Sequence, residues 1–178
     1  VLISVATGMV VRPAGGLPGA TSRLLIACLN MIFSDRAQAI IEGDLTDLAV
    51  HYDLDSRYGR WALDHERRRI AYIKAWSEAR EIQFVGTQVE LLVDSVEPKG
   101  DTAWIQLRQS AAFSYVYADS PEAQPDWFGV GTYHLLELVQ KDMRWIVRRD
   151  WYTDPFDEDS DISTARPAIL PGRVPREN

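Results

Sequence analysis

The fold of this chain is indicated by one stretch, residues 88–117, which reads QVELLVDSVEPKGDTAWIQLRQSAAFSYVY. In its first third, apolar and polar residues alternate, which is the period of a half-buried strand. Residues 97–100, Glu-Pro-Lys-Gly, favour a tight turn. Apolar residues of one parity then continue over 103–117, about twice the usual strand length, so we expect a bend near 110–112. The stretch predicts an antiparallel hairpin.

Helical patterns precede this hairpin. Apolar residues recur at three- and four-residue spacing from residue 23 to residue 42, and Gly43 ends the pattern. A longer amphipathic pattern covers 57–80 and follows Ser56, a residue type that caps helices. Residues 45–54 between the two patterns predict a short helix or turn.

Two further strand patterns follow the hairpin, over 130–139 and 144–153, with a short turn between them. Helices followed by an antiparallel meander predict an α+β domain with the helices on one face of the sheet. A long third helix and a long bent strand resemble the cone-shaped nuclear-transport-factor-two-like (cystatin-like) fold. The resemblance implies a curved antiparallel sheet that wraps the long helix and leaves an apolar pocket at its open end.

A chain of 178 residues is long enough for one domain with tails. Residues 13–20, PAGGLPGA, interrupt any helix or strand, so we expect 1–21 to be a flexible N-terminal segment. We expect 22–156 to form a single α+β cone domain. Residues 157–178 are acidic and rich in proline, which predicts a solvated tail or linker.

The charge of the chain excludes several partners. Its 19 basic and 26 acidic residues give a net charge of −7, which would repel nucleic acid. The uncharged residues 1–11 are shorter than the roughly 20 residues that a membrane-spanning helix needs, so no membrane insertion by this segment is expected.

The single cysteine and the three histidines carry no assigned chemistry. Cys28 lies in the middle of a predicted helix among apolar residues, so we interpret it as a buried, unreactive side chain. His51, His65 and His134 do not have the spacing of a zinc site. We therefore predict no metal site and no cofactor, and we assign no catalytic residue.

Five residues are candidates to line a pocket. Enzymes with the cone fold place a carboxylate base and a tyrosine or protonated acid inside the cone. Residues that could face such a cavity are Tyr52, Asp53, Tyr115, Tyr117 and His134. The alternative interpretation is that the tyrosines are core or rim residues with ordinary hydrogen-bond partners. Sequence spacing forces no pair of these residues together.

A more particular resemblance involves YDLDSRYGRWALDHERRRIAYIKAWSEAR (52–80) and FGVGTYHLLELVQKDMRWIVRRDWYTDPFDED (128–159). These stretches are similar to the N-terminal module of secreted bacterial proteins that carry an amidase domain at their C-terminal end. The similarity spans 34–159, and its most specific element is WYTDPF (151–156). The asparagine-cysteine-x-asparagine-phenylalanine type of motif that carries the catalytic cysteine of that family is missing here.

Three functional hypotheses follow. The first is a non-catalytic accessory or binding module of a secreted or cell-envelope bacterial amidase, which positions the catalytic domain or binds a cell-wall component. The second is a stand-alone small-molecule pocket enzyme of the same fold, of isomerase or dehydratase type. The third is a module that forms a homodimer through a sheet face carrying the tryptophans at 104, 145 and 151.

The parity of the last strand predicts where its aromatic residues lie. Trp151 has the parity of Trp145 and Val147, so we expect all three on one sheet face. Asp154 precedes a proline, which predicts the end of the sheet there. Removal of the residues after Phe156 is expected to leave the stability nearly unchanged.

Overall fold

The structure is a computed structural model that describes residues 6–13 and 20–152. In chain order its elements are β1 (Ala6–Pro13), α1 (Ala20–Glu42), a 3₁₀ helix (Thr46–His51), α2 (Arg57–Ala79), β2 (Ile82–Lys99), β3 (Thr102–Tyr117), β4 (Asp126–Lys141) and β5 (Arg144–Tyr152). The strands form one sheet in the order β1-β2-β3-β4-β5, and β2 to β5 are antiparallel. The predicted α+β class, with helices followed by a curved, mainly antiparallel sheet, is confirmed.

Strand β1 was not expected. It pairs in parallel with β2, from Ala6 opposite Gly86 to Pro13 opposite Val93. The expectations of a flexible segment over 1–21 and of a purely antiparallel sheet are therefore wrong for residues 6–13. The physical reason is that residues 5–11, VATGMVV, are uncharged and rich in valine, and the edge of β2 offers unpaired backbone groups.

The helix ends follow the sequence signals. Helix α1 ends at Glu42 because Gly43 takes a φ of +69° and donates its N–H to the carbonyl of Ala39 at 2.8 Å. Helix α2 begins after Ser56, whose hydroxyl accepts a hydrogen bond from the Tyr58 N–H at 3.2 Å. The start of α1 at Ala20 lies two residues before the expected boundary.

Both helices pack on one face of the sheet, the inner face. Buried apolar residues of the helices meet those of β2 to β5 there: Leu29, Ile32, Leu63, Ile70, Leu91, Ile105, Leu107, Leu136, Leu138 and Val147. The part of α1 from Arg23 to Glu42 is long and apolar enough to cross a membrane. Half of it is buried inside this fold, and the core helix of a globular protein passes the same test.

The long strand β3 keeps its register where a bend was predicted. Residues 110–112 pair with both β2 and β4 without interruption. The irregularities lie in β2, between Phe84 and Gly86 and between Val93 and Ser95. Extra residues in β2 therefore account for the irregular pairing, while the bend at 110–112 of β3 stays a prediction.

A bulge in β5 reverses the faces of its last residues. Val147 pairs with Leu138 and Arg149 pairs with the next residue, Glu137, so Arg148 is an extra residue. Trp151 consequently lies on the outer face, stacked on Trp104 with ring centroids 5.7 Å apart. The prediction that Trp151 shares a face with Val147 is wrong.

This reversal also affects the proposed dimer surface. Trp145 belongs to the core cluster of the inner face, whereas Trp151 is on the outer face, and both are buried. The three tryptophans therefore do not form one open surface, while a homodimer through a sheet face stays a prediction. The predictions about Asp154, Phe156 and the tail over 157–178 concern residues outside the described ones.

Candidate functional site

The inner face opens into a cleft where the end of α2 meets the end of β3 and the beginning of β4. The cleft has a volume of about 630 Å³. Its lining, called here the aromatic cleft, consists of Trp76, Arg80, Ile82, Tyr115, Tyr117, Phe128, Gly129 and Val130.

Strand parity and helix spacing build the walls of the aromatic cleft. Phe128 and Val130 share the inner-face parity of β4, and Tyr115 and Tyr117 share that of β3. The Phe128 ring lies 6.1 Å from the rings of both Trp76 and Tyr115, measured between centroids. Edge and tilted contacts of this kind fix aromatic rings against one another. The cleft therefore has walls that other rings hold in place.

Arg80 is the charged residue of the cleft lining. Its guanidinium lies over the Trp76 ring, 4.3 Å from the ring centroid. Arg80 is also the C-cap residue of α2, directly after Ala79, where its positive charge is favourable beside the unpaired helix carbonyls.

The Tyr115 hydroxyl of the cleft is protonated at neutral pH. Burial, the neighbouring Tyr117 and the carboxylate of Asp126 raise the pKa of Tyr115 above its ordinary value. Tyr117 is 48% exposed and its ring lies 5.9 Å from that of Tyr115. The cleft thus offers the protonated hydroxyl of Tyr115 together with a guanidinium and apolar rings.

A second polar feature lies deeper on the inner face. Arg36 of α1 donates from Nη1 to Asp150 Oδ2 at 2.7 Å and from Nε to the Tyr52 hydroxyl at 3.0 Å. The ring of His134 lies between Asp150, 2.9 Å from Nδ1, and Gln109, 3.0 Å from Nε2. We call these five residues the interior network.

Ion pairing outweighs burial in the interior network. Burial alone would raise the pKa of Asp150, but His134 and Arg36 hold it at about 2. Burial would likewise lower the pKa of Arg36, but Tyr52 and Asp150 raise it above its usual value. Burial raises the pKa of Tyr52 far above its usual range. At neutral pH the network therefore holds a buried ion pair and a neutral phenol.

Aromatic rings close the interior network. The Phe33 ring of α1 packs edge-on against His134 at 5.1 Å, measured between ring centroids. The Tyr152 ring of β5 lies 4.7 Å from that of His134. His134 is only 2% exposed. The Tyr152 hydroxyl donates to Glu66 Oε1 at 2.6 Å, so a second buried carboxylate lies nearby. The residues of the interior network do not line the aromatic cleft.

Asp53 lies at a third place, beside the β4–β5 turn. It accepts hydrogen bonds from Lys141 Nζ at 2.6 Å and Arg148 Nε at 3.1 Å. Burial would raise the pKa of Asp53, but these two cations together lower it. The Asp53 N–H also donates to the carbonyl of Val147 at 2.8 Å. These contacts hold the loop before α2 against β5, so Asp53 is a structural clamp.

The five sequence-predicted pocket residues therefore divide among three places. Tyr115 and Tyr117 lie together in the aromatic cleft. Tyr52 and His134 lie in the interior network, and Asp53 lies outside both features. Sequence reasoning missed Trp76, Arg80 and Phe128 as cleft residues. Helix and strand spacing carried a signal for Trp76 and Phe128, which share the faces of core residues.

Cys28 is placed as expected. It is 5% exposed, and its thiol donates to the carbonyl of Trp145 with a Sγ–O distance of 3.0 Å. Burial raises the pKa of the Cys28 thiol to about 11, and the charge of Arg144 opposes this increase. Across residues 6–13 and 20–152, the structure contains no group of three or more acidic, histidine or cysteine residues arranged to hold a metal ion.

Comparisons with known proteins show the fold. No protein-family model matches the chain, and no curated protein sequence matches it significantly. The intermembrane space region of the chloroplast protein ARC6 is similar with a TM-score of 0.53 and 14% identity, over 76% of this chain and 98% of that one.

Two bacterial proteins show weaker likenesses. A candidate scytalone dehydratase from Novosphingobium aromaticivorans has a TM-score of 0.46 and 14% identity, over 75% of this chain and 89% of that one. A candidate dehydratase of the NTF2-like family from Streptomyces avermitilis has a TM-score of 0.45 and 14% identity, over 71% of this chain and 94% of that one. These likenesses concern the fold alone, and the chain has an α+β fold in which helices are followed by a curved, mainly antiparallel sheet.

Proposed function

We propose that this chain is a non-catalytic binding module whose ligand site is the aromatic cleft. The proposal rests on the different positions of two groups of side chains, those that line the cleft and those that could act as acid or base. The open cleft is lined by aromatic rings, whereas the acid–base residues His134 and Asp150 are buried in a network with one another. A ligand that enters the cleft would meet surfaces suited to binding.

The dimensions and lining of the cleft favour a small organic ligand. Its volume of about 630 Å³ lies within the range of roughly 300–1,000 Å³ that is typical of ligand pockets. Apolar rings supply most of the wall, and a few polar groups supply orientation. The residues that line the cleft include no carboxylate and no imidazole, so the lining offers no general base.

We extend the proposal to the protein that contains this module. The resemblance of 34–159 to the modules of secreted bacterial amidases supports a place in a secreted or cell-envelope protein, beside a catalytic domain. In that setting the module would bind a cell-wall component or position the hydrolase. The coding sequence around this segment tests the extension: we expect a secretion signal upstream and an amidase domain downstream. Flanking sequence that encodes neither would contradict it.

The binding proposal is tested with N-phenyl-1-naphthylamine, an uncharged probe whose fluorescence rises in apolar sites. We expect saturable binding with one site per chain. Tyr117→Ala is expected to weaken binding about tenfold or more, because the ring forms part of the wall. Since the Tyr117 side chain is 48% exposed, its removal is expected to leave the fold intact.

The matched control is Trp127→Ala. Trp127 is 72% exposed, lies beside Phe128 in β4 and does not line the cleft. We expect this variant to bind the probe as the parent chain does. Equal weakening by both variants, or no saturable binding by the parent chain, would contradict the aromatic cleft as the ligand site.

A second candidate function is a small-molecule pocket enzyme of isomerase or dehydratase type. The observation that favours it is the pair of His134 and Asp150 on the inner face, with the Tyr52 hydroxyl bound to the same Arg36. A histidine oriented by a carboxylate is a common general base. Dehydration of a small hydroxyketone that is lost in His134→Gln but kept in Tyr117→Ala would favour this candidate over the binding module.

A further inference from the structure

Arg80 is positioned at the cleft wall without a carboxylate partner. Its guanidinium carbon lies 4.3 Å from the centroid of the Trp76 ring. Trp76 in turn contacts Phe128, which fixes the indole between the cation and the opposite wall. Within 6–13 and 20–152, no carboxylate is recorded within salt-bridge distance of Arg80. The cleft therefore carries one positive charge that other side chains of the fold do not neutralise by direct pairing.

The position of this guanidinium over the Trp76 ring is compatible with ligand binding by its N–H groups. A planar guanidinium that packs by its face on an indole keeps its N–H donors in the plane, where they are free to bind a ligand. Two parallel N–H groups match the two oxygens of a carboxylate. The Trp76 ring restricts the Arg80 side chain, so this side chain loses less conformational entropy on ligand binding than an unrestricted arginine would.

We propose that the aromatic cleft binds a carboxylate attached to a flat apolar body, with the carboxylate on Arg80. This inference rests on the proposed function and assigns its ligand class. The apolar body would lie against Phe128 and Tyr115, whose rings line the same space. The phenol of Tyr115 stays protonated at neutral pH, because its pKa is raised, so it adds no negative charge beside a bound carboxylate.

Charge complementarity separates this ligand class from the alternatives. An ammonium ligand would be attracted by the tyrosine rings and by the Asp126 carboxylate near Tyr115, but it would be repelled by Arg80, which lines the cleft itself. A neutral ligand of the same shape would bury the same apolar surface and leave the guanidinium unpaired. The inference therefore predicts an order of affinity among three molecules that share one body: carboxylate first, then alcohol, then ammonium.

The experiment measures the dissociation constants of 2-naphthoate, 2-naphthylmethanol and 2-naphthylmethylammonium by titration calorimetry. We expect 2-naphthoate to bind about tenfold or more tightly than the alcohol, because a hydrogen bond between two charged groups is stronger than one to a neutral hydroxyl. Arg80→Gln should remove this preference and leave the affinity for the alcohol within about twofold of the parent chain. Arg80→Lys should keep part of the preference, since it keeps the charge and loses the planar fork.

The control for net charge is Arg67→Gln. Arg67 is an exposed residue of the same helix that does not line the cleft. The Arg67→Gln variant should retain the full preference for 2-naphthoate. A loss of preference equal to that of Arg80→Gln would overturn the inference, because it would show a long-range charge effect. Equal affinity for carboxylate and alcohol in the parent chain would also overturn it and leave the binding module intact. If none of the three naphthalene ligands binds, both this inference and the proposed binding function are contradicted.

Discussion

His134 Nδ1 lies 2.9 Å from Asp150 Oδ1, although the two residues are sixteen positions apart on neighbouring strands. The bulge at Arg148 produces this contact, because it turns Asp150 to the inner face, where it pairs across the ladder with Leu136. Without the extra residue, Asp150 would face outward. Arg36 then reaches the same carboxylate from α1, which ties the helix to the last strand.

Replacement of Asp150 by asparagine should destabilise the protein strongly. The change leaves Arg36 buried without its carboxylate, and breaking a buried ion pair on one side costs about 3–5 kcal/mol. Urea unfolding monitored by tryptophan fluorescence at pH 7 measures the loss. The control is Asp94→Asn, which breaks the more exposed pair with Arg108 and should cost less than about 1 kcal/mol. Equal costs for the two changes would contradict the role of the interior network.

The same carboxylate predicts an acid-labile part of the stability. The pKa of Asp150 is about 2 in the folded chain, against about 3.9 in an unfolded one. Because the folded value is the lower one, the contribution is fully present above pH 4 and is lost as the pH falls towards 2. It amounts to roughly 2–3 kcal/mol. Urea titrations from pH 6 to pH 2 should therefore show a smaller decline for Asp150→Asn than for the parent chain. Parallel curves would exclude this linkage.

Trp151 is predicted to stabilise the outer face through Trp104. Trp151 is 3% exposed, so Trp151→Ala should lower the free energy of unfolding by about 3 kcal/mol or more. A double-mutant cycle with Trp104→Ala should give a coupling of roughly 0.5–1.5 kcal/mol, as for stacked rings. A cycle with Trp145→Ala should give little coupling, because Trp145 packs on the inner face. Strong coupling to Trp145 and little coupling to Trp104 would contradict the position of Trp151 on the outer face.

Gly59 should not tolerate a side chain. A Cβ atom there would lie 2.1 Å from the backbone oxygen of Asp53, which cannot move without breaking the contact with Val147. We expect Gly59→Ala to cost more than about 4 kcal/mol or to prevent soluble expression. The control is Gly131→Ala, where nothing lies within 4 Å of the added atom. A Gly59→Ala protein that melts at the parent temperature would contradict the close approach of α2 to this loop.

The thiol of Cys28 should react slowly in the folded chain. Its pKa of about 11 leaves little thiolate at neutral pH, and its side chain is buried. A chromogenic disulfide reagent at pH 7.5 is expected to label it at least a hundredfold more slowly than a free cysteine, and to label it completely in urea. Rapid stoichiometric labelling of the folded chain would show that the thiol is accessible.

Local sequence patterns determined most of the elements. Gly43 and Ser56 mark helix ends because their backbone and side-chain chemistry acts within one turn. The change from helical to alternating period marks the beginning of β2 at Ile82. The α+β cone follows from helices succeeded by a meander, since each apolar face has to be covered. The alternation of residues in β3 also placed Tyr115 and Tyr117, two of the cleft residues, on the inner face.

The sites themselves depended on contacts between distant segments. One bulged residue, Arg148, changes the face of every residue after it, and alternation cannot reveal an extra residue whose partner strand is unknown. It therefore took the tertiary structure to place Trp151 outside and Asp150 beside His134. The positions of Arg80 and Trp76 in the cleft also depend on tertiary structure. The sequence predicts which face of a helix a residue lies on, whereas the packing of α2 on the sheet decides what that face contacts.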